Sequence, residues 1–215
     1  RIVFLANPNN PTGAHVGRGE IERLLARLPP EVILAVDEAY IEYARDPELV
    51  SSLELTRAEH ACVTLRTFSK MYGLAGLRVG YAATRNHEIA GLLERVRQPF
   101  NVNARAQAAA LAALGDPEHV KRTRDMNETG DRQLRAGLEA LGIAAAPSQG
   151  NFLLVDLARD GASVAAALER VGVFVRPVGV YGLPHAIRVT IGTEPQNERF
   201  LRELARVLDV PPSSL

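Results

Sequence analysis

Short apolar runs alternate with helical stripes through the first half of the chain. Residues 2–6 form an apolar run of strand length, and Ile21, Leu24, Leu25 and Leu28 then recur at the spacing of one helical face. Pro29-Pro30 ends that helix, because proline offers no amide hydrogen and pushes the residue before it toward extended backbone. Residues 32–36, 63–67 and 79–83 read as further strands, and Ile89, Leu92, Leu93 and Val96 as the apolar face of another helix. Such alternation predicts parallel strands joined by crossover helices. The alanine-rich stretch 104–114 predicts one more helix, halted at Gly115-Asp116-Pro117.

From residue 116 the pattern changes. A long charged helical segment reaches Leu141 and gives way to the turn-rich Pro147-Ser148-Gln149-Gly150. Strands are predicted at 151–157, 173–175 and 187–191, with a helix carrying Val164, Leu168 and Val171 between the first two. Thr193 and Gln196 have capping-box spacing and open a final helix through Phe200, Leu201, Leu204 and Leu208. The expected class is α/β, with a mostly parallel sheet within residues 1–115 and a smaller α+β domain over 116–215.

Composition narrows the function classes. The 215 residues are 47% hydrophobic and 23% charged, which excludes a disordered, collagen-like or coiled-coil chain. Twenty-five Lys and Arg balance 25 Asp and Glu, so no net field draws nucleic acid or an anionic membrane. Any anion must be bound locally. One cysteine, Cys62, rules out a disulfide framework, and the five histidines show no paired ligand spacing, so no metal is expected. With neither a membrane-length apolar run nor a basic-then-apolar leader, the expectation is a cytoplasmic protein. The chain opens at Arg1 directly into an apolar strand, which reads as a piece of a longer protein.

Three strand ends carry the candidate chemistry. Asn7-Pro8-Asn9-Asn10-Pro11-Thr12-Gly13 follows the first strand. In open α/β sheets ligands bind outside the carboxyl ends of the strands, so the amides of Asn9 and Asn10 would face a site there. An ordinary Pro/Gly/Asn turn accounts for the loop taken alone. The second strand ends in Val36-Asp37-Glu38-Ala39-Tyr40. A carboxylate emerging from an apolar strand is costly unless paired, and Tyr40 is near enough to address the same ligand. The plain alternative is a capping Asp37 with Glu38 in the first turn of a helix. The third end is Thr67-Phe68-Ser69-Lys70-Met71-Tyr72-Gly73-Leu74-Ala75-Gly76-Leu77-Arg78-Val79-Gly80. An amine held between partly apolar walls becomes a nucleophile toward a carbonyl, as a Schiff base requires. Ser69 and Arg78 could share one phosphate. A solvated surface charge is the commoner fate of a lysine. Neither a dinucleotide fingerprint nor a P-loop is present. Farther on, Arg188 alternates with Ile187, Val189 and Ile191 and so faces away from them.

On these motifs the chain resembles the fold type I, pyridoxal-phosphate-dependent aminotransferases, and within them the histidinol-phosphate aminotransferases. The three strand ends match, as do Val173-Phe174-Val175-Arg176-Pro177, Tyr181-Gly182-Leu183-Pro184 and Ala186-Ile187-Arg188-Val189-Thr190-Ile191-Gly192-Thr193, so the resemblance covers nearly the whole chain. It implies part of a three-layer αβα large domain over residues 1–115, followed by a small α+β domain. It implies pyridoxal 5'-phosphate as cofactor, with Lys70 bonded to it and serving as the proton-moving base, and Asp37 paired with the pyridine nitrogen. Asn10 and Tyr40 would hold the phenolic oxygen, and Ser69 and Arg78 the phosphate, with Thr67 a weaker candidate because its place in the strand can turn it away from the site. Arg188 would bind the substrate's carboxylate or phosphate, with Arg176 a second anion contact and Asn151 facing the same site. Surface salt bridges for the arginines and a turn role for Asn151 are the alternatives. Phe100 and Asn101 are implied only as pocket walls.

The activity implied is transamination of histidinol phosphate with 2-oxoglutarate in a homodimer, taking a small-molecule amino donor and a 2-oxo acid acceptor. An aromatic-amino-acid aminotransferase or a phosphothreonine decarboxylase is the alternative within the superfamily, and a non-catalytic module retaining the fold is the alternative outside it. The family also carries an N-terminal portion that grips the phosphate, stacks on the cofactor ring and reaches a neighbouring subunit. The expectation is therefore weak cofactor affinity for these residues alone.

Overall fold

The structure, a computed structural model, describes residues 1–209. Two compact units divide the chain, one made of residues 1–9 and 15–122, the other of residues 10–14 and the chain from Thr123 onward. The sequence places the boundary at Gly115-Asp116-Pro117; the units instead divide inside a continuous helix, and five residues of the first loop group with the second unit.

In the first unit, β1 (Ile2–Ala6), β2 (Ile33–Asp37) and β3 (Cys62–Thr67) run parallel, and β4 (Gly80–Ala83) closes antiparallel on β3. Ala6 pairs with Asp37 and Asp37 with Leu65, so the three parallel strands finish at nearly one level and release their loops from one edge. Helix α1 (Arg18–Arg27) lays Leu24 and Leu25 over Leu34, Val36 and Cys62, as its periodicity predicts. Gly80 pairs with Thr67, and a Cβ there would lie 2.7 Å from the Arg66 carbonyl oxygen, which is why the entry to β4 is glycine. A short α2 (Ser52–Leu55) precedes β3; α3 (His87–Val96) and α4 (Ala104–Leu114) follow β4. The small Ala106 and Ala110 of α4 let that helix pack closely on Phe68 and Val79, which flank the loop bearing Lys70.

Helix α5 (Pro117–Ala140) leads into β5 (Ala144–Ala145), β6 (Phe152–Asp156), α6 (Gly161–Arg170), β7 (Arg176–Pro177), β8 (Ala186–Thr190) and α7 (Glu194–Val207). The strands form an antiparallel sheet in the order β5-β6-β8-β7. Its core joins Leu134 and Leu138 of α5, Leu153 of β6, Leu168 of α6, Ile187 of β8 and Leu204 of α7. The expected α7 capping contact is present, Thr193 N donating to Gln196 Oε1 at 2.9 Å. One expected strand is absent. Residues 173–175 do not pair, because Gly172 turns left-handed (φ 76°) and Val173 N donates back to Leu168 O at 2.9 Å to close α6. Pairing with β8 begins only at Arg176. Among the described residues, no helix is long and apolar enough to cross a membrane.

Candidate active site

The shared carboxyl edge of β1, β2 and β3 delivers most of the expected residues of the first unit. Asp37, the last residue of β2, is exposed, and its Oδ1 accepts a hydrogen bond from Ala39 N at 3.0 Å. This is an Asx turn rather than a helix cap; the chain continues into a short 3-10 turn at Ile41–Tyr43. Tyr40, at the start of that turn, is buried. Lys70, exposed on the loop after β3, holds its Nζ 5.4 Å from the centroid of the Tyr40 ring. The Tyr40 ring and the Lys70 amine therefore lie against one another.

Several contacts shape the Lys70 loop. Ser69 N donates to Thr67 Oγ1 at 3.0 Å, Gly73 N donates to Lys70 O at 3.0 Å, and Leu74 N donates to Phe68 O at 2.9 Å. The Thr67 hydroxyl thus organises the turn that presents Ser69. Arg78 is exposed and left-handed (φ 54°), and its Nη1 donates to Ala75 O at 2.8 Å. His119, on α5, lies within hydrogen-bond reach of Met71 O, at 3.0 Å from its Nε2. It tethers the residue next to Lys70.

Sequence reasoning missed two further anchors. Asn7 is buried; its Nδ2 donates to Val16 O at 3.0 Å and its Oδ1 accepts from Val16 N at 2.9 Å, tying down both ends of the first loop. Glu38 is 1% exposed, not a helix-turn carboxylate at the surface. Its oxygens accept from Ser51 Oγ (2.9 Å), Ser52 N (2.6 Å), Ser52 Oγ (2.8 Å) and Arg66 Nε (2.8 Å). Arg66 Nη1 also donates to Glu42 Oε1 at 2.9 Å. Burial opposes the charge on Arg66, but the Glu38 and Glu42 carboxylates outweigh it and raise its pKa. Glu42 is itself pushed up, because its own burial exceeds the pull of the backbone hydrogen bond and Arg66. The signal in the sequence was Arg66, the one charge inside the strand Cys62–Thr67.

The second unit gathers another set. Arg188 Nη1 donates to Asn10 Oδ1 at 2.6 Å, and the guanidinium lies 5.1 Å from the centroid of the buried Phe152 ring. Its Nε is buried without a hydrogen-bond partner. Arg176 is exposed and pairs with Arg188 in register across β7 and β8, placing two like charges opposite one another. That arrangement is destabilising alone and is relieved by an anion. Asn151 is half-buried, with its carbonyl accepting from Ile191 N at 2.9 Å. Phe100 is fully exposed at a left-handed turn (φ 59°), whereas Asn101, which accepts from Arg97 at 2.7 Å, lines a cavity together with Tyr81, Leu93 and Arg97.

Chemically, the first unit offers an exposed carboxylate for a protonated ring nitrogen, an exposed amine for an aldehyde, and hydroxyl and guanidinium donors for a phosphate. This donor set fits pyridoxal phosphate. The second unit offers paired guanidinia, one with an unsatisfied buried nitrogen, which fit an anionic substrate group.

Comparison with known proteins bears on these two sets. The family model described as "Aminotransferase class I and II" matches residues 1–204. Histidinol-phosphate aminotransferase 2 of Pseudomonas aeruginosa is 52% identical over 208 residues, which are 97% of this chain and 56% of that protein. The crystal structure of histidinol-phosphate aminotransferase from Sinorhizobium meliloti in complex with pyridoxal-5'-phosphate superposes with a TM-score of 0.87 at 31% identity, over 97% of this chain and 57% of that one. L-threonine-O-3-phosphate decarboxylase from Porphyromonas gingivalis gives a TM-score of 0.84 at 28% identity, over 97% of this chain and 64% of that one. The chain thus spans a little over half the length of the curated relatives it matches. Its fold is the α/β fold type I arrangement of these enzymes, in part. Matched along nearly its whole length, the chain belongs to the class I and II aminotransferase family.

Proposed function

We propose that the chain is the lysine-bearing part of a pyridoxal-phosphate-dependent aminotransferase that exchanges the amino group of histidinol phosphate with 2-oxoglutarate. The observation that carries the reading is the pairing of Lys70 with Tyr40 at the strand edge from which Asp37 also emerges. Bound pyridoxal phosphate supplies an electron sink for the carbanion formed at the substrate carbon. Asp37 holds the ring nitrogen protonated, Tyr40 and Asn10 hydrogen-bond the phenolic oxygen, and Ser69, Arg78 and Thr67 bind the phosphate. Lys70 would serve as the base that moves the proton at the substrate carbon. Arg188 and Arg176 receive the substrate's carboxylate or phosphate, with Asn151 beside them. Identity of 52% to a histidinol-phosphate aminotransferase supports that substrate over others in the family. A cytoplasmic homodimer taking an amino donor and a 2-oxo acid completes the reading.

Borohydride reduction in the presence of pyridoxal phosphate, followed by peptide mapping, tests the cofactor chemistry. Stoichiometric label on Lys70, absent from Lys70→Ala, is expected; label scattered over surface lysines overturns the assignment. Substrate trials then separate histidinol phosphate turnover from aromatic amino acid turnover or phosphothreonine decarboxylation. A Lys70→Ala variant that is silent in every functional assay would point instead to a non-catalytic module.

A further inference from the structure

We propose that Glu38, acting through Arg66, is a positioning residue that holds the strand ends bearing Asp37, Tyr40 and Lys70 in working register. The inference rests on the functional reading above and deepens it, since neither Glu38 nor Arg66 is given contact with cofactor or substrate.

Asp37 and Glu38 are adjacent carboxylates with opposite fates, one exposed at the strand end and the other 1% exposed. Backbone alternation sends the two side chains to opposite sides. The buried one is satisfied by two serines and an arginine, and its network continues from Ser52 Oγ to Thr64 Oγ1 at 2.7 Å. Its backbone takes part as well, Glu38 N donating to Leu65 O at 2.9 Å and Ile41 N donating to Glu38 O at 3.2 Å. The turn that carries Tyr40 is thereby fastened at its first residue.

Arg66 is the other half of the device. It immediately precedes Thr67, whose hydroxyl shapes the turn leading to Lys70. Arg66 joins Glu38 and Glu42, so a single guanidinium ties the exit of β3 to both ends of the 38–42 turn. Well-packed apolar side chains would stabilise such a site as well or better, because buried ions lose hydration that their attraction only partly returns. Directional hydrogen bonds, unlike apolar contacts, select one rotamer and one register. A geometric role therefore accounts for the network where stability alone does not.

The test compares the parent chain, Glu38→Gln, which keeps the shape and removes the charge, Arg66→Lys, which keeps the charge and loses the fork, and Leu204→Ala, a cavity control in the other unit. Each is scored for thermal midpoint and for borohydride labelling of Lys70 at subsaturating pyridoxal phosphate. Labelling is expected to fall roughly tenfold in Glu38→Gln and Arg66→Lys, since small misplacements of reacting groups are amplified in rate. Leu204→Ala is expected to lower the midpoint by at least as much and to label like the parent. Parent-like labelling in a folded Glu38→Gln or Arg66→Lys overturns the positioning role, as does an equal loss in Leu204→Ala. Should Glu38→Gln fail to fold, Arg66→Lys alone decides. A parent chain that takes no label on Lys70 even at saturating pyridoxal phosphate and with the family's N-terminal portion restored overturns the functional reading, and the positioning role with it.

Discussion

Arg188 and Asn10, 178 positions apart in sequence, are joined by a 2.6 Å hydrogen bond from Nη1 to Oδ1. Asn10 lies on the loop after β1, yet residues 10–14 group with the second unit, where the same guanidinium stacks on Phe152. The bond occupies one arm of Arg188 and leaves Nε unsatisfied.

Arg188→Lys keeps the charge but loses the planar fork and the stacking on Phe152. A hydrogen bond to a charged group contributes about 1.5–3 kcal/mol, so on the proposed function kcat/KM for the anionic substrate should fall roughly 10- to 100-fold. Steady-state kinetics measure this directly. A change smaller than about threefold would remove Arg188 from substrate binding.

Cys62 offers a pH test of the β3 core. Burial, assisted by the Glu38 carboxylate, pushes its thiol up to about 11. The unfolded thiol ionises near about 8.5, so over the interval between these values the folded chain holds the extra proton and stability falls as pH rises. Urea midpoints for the parent should therefore drop between pH 9 and pH 11 more steeply than those for Cys62→Ala. Parallel slopes would mean that the thiol ionises as freely in the fold as outside it. At pH 8, thiol-reactive labelling of native protein should be about 200-fold slower than in urea, in proportion to the thiolate present.

Gly13 should not tolerate a side chain. Its φ of 77° is left-handed, and a Cβ would collide with the Ser148 hydroxyl, which donates to Phe152 O at 2.7 Å. Gly13→Ala should cost about 1–3 kcal/mol of stability through strain and shift the ring beneath Arg188. Equilibrium denaturation gives the first quantity; a loss below about 0.5 kcal/mol, the range of an ordinary surface substitution, would show that the loop relaxes freely.

Local periodicity carried most of the fold. The stripe of Ile21, Leu24, Leu25 and Leu28, the Thr193 and Gln196 cap and the halt at Pro29-Pro30 each act within a turn or two of helix, and each appears where expected. The apolar run at 173–175 failed for an equally local reason: the Val173 amide is consumed in closing α6. Strand-end chemistry was legible because loops leaving parallel strands share one edge, whatever the details of packing.

What no local pattern distinguishes is the fate of two neighbouring carboxylates. The sequence by itself determined that Asp37 and Glu38 stand where an apolar strand ends, that a lysine follows the next strand, and that Arg188 faces away from the aliphatics. Only the tertiary structure decided that Asp37 is exposed while Glu38 is buried on Arg66, that Arg176 pairs with Arg188 in register, and that Asn10 meets Arg188. Strand and helix periods depend on neighbours a few residues away, whereas the partner of a buried charge is chosen by whichever distant groups packing brings within hydrogen-bond reach.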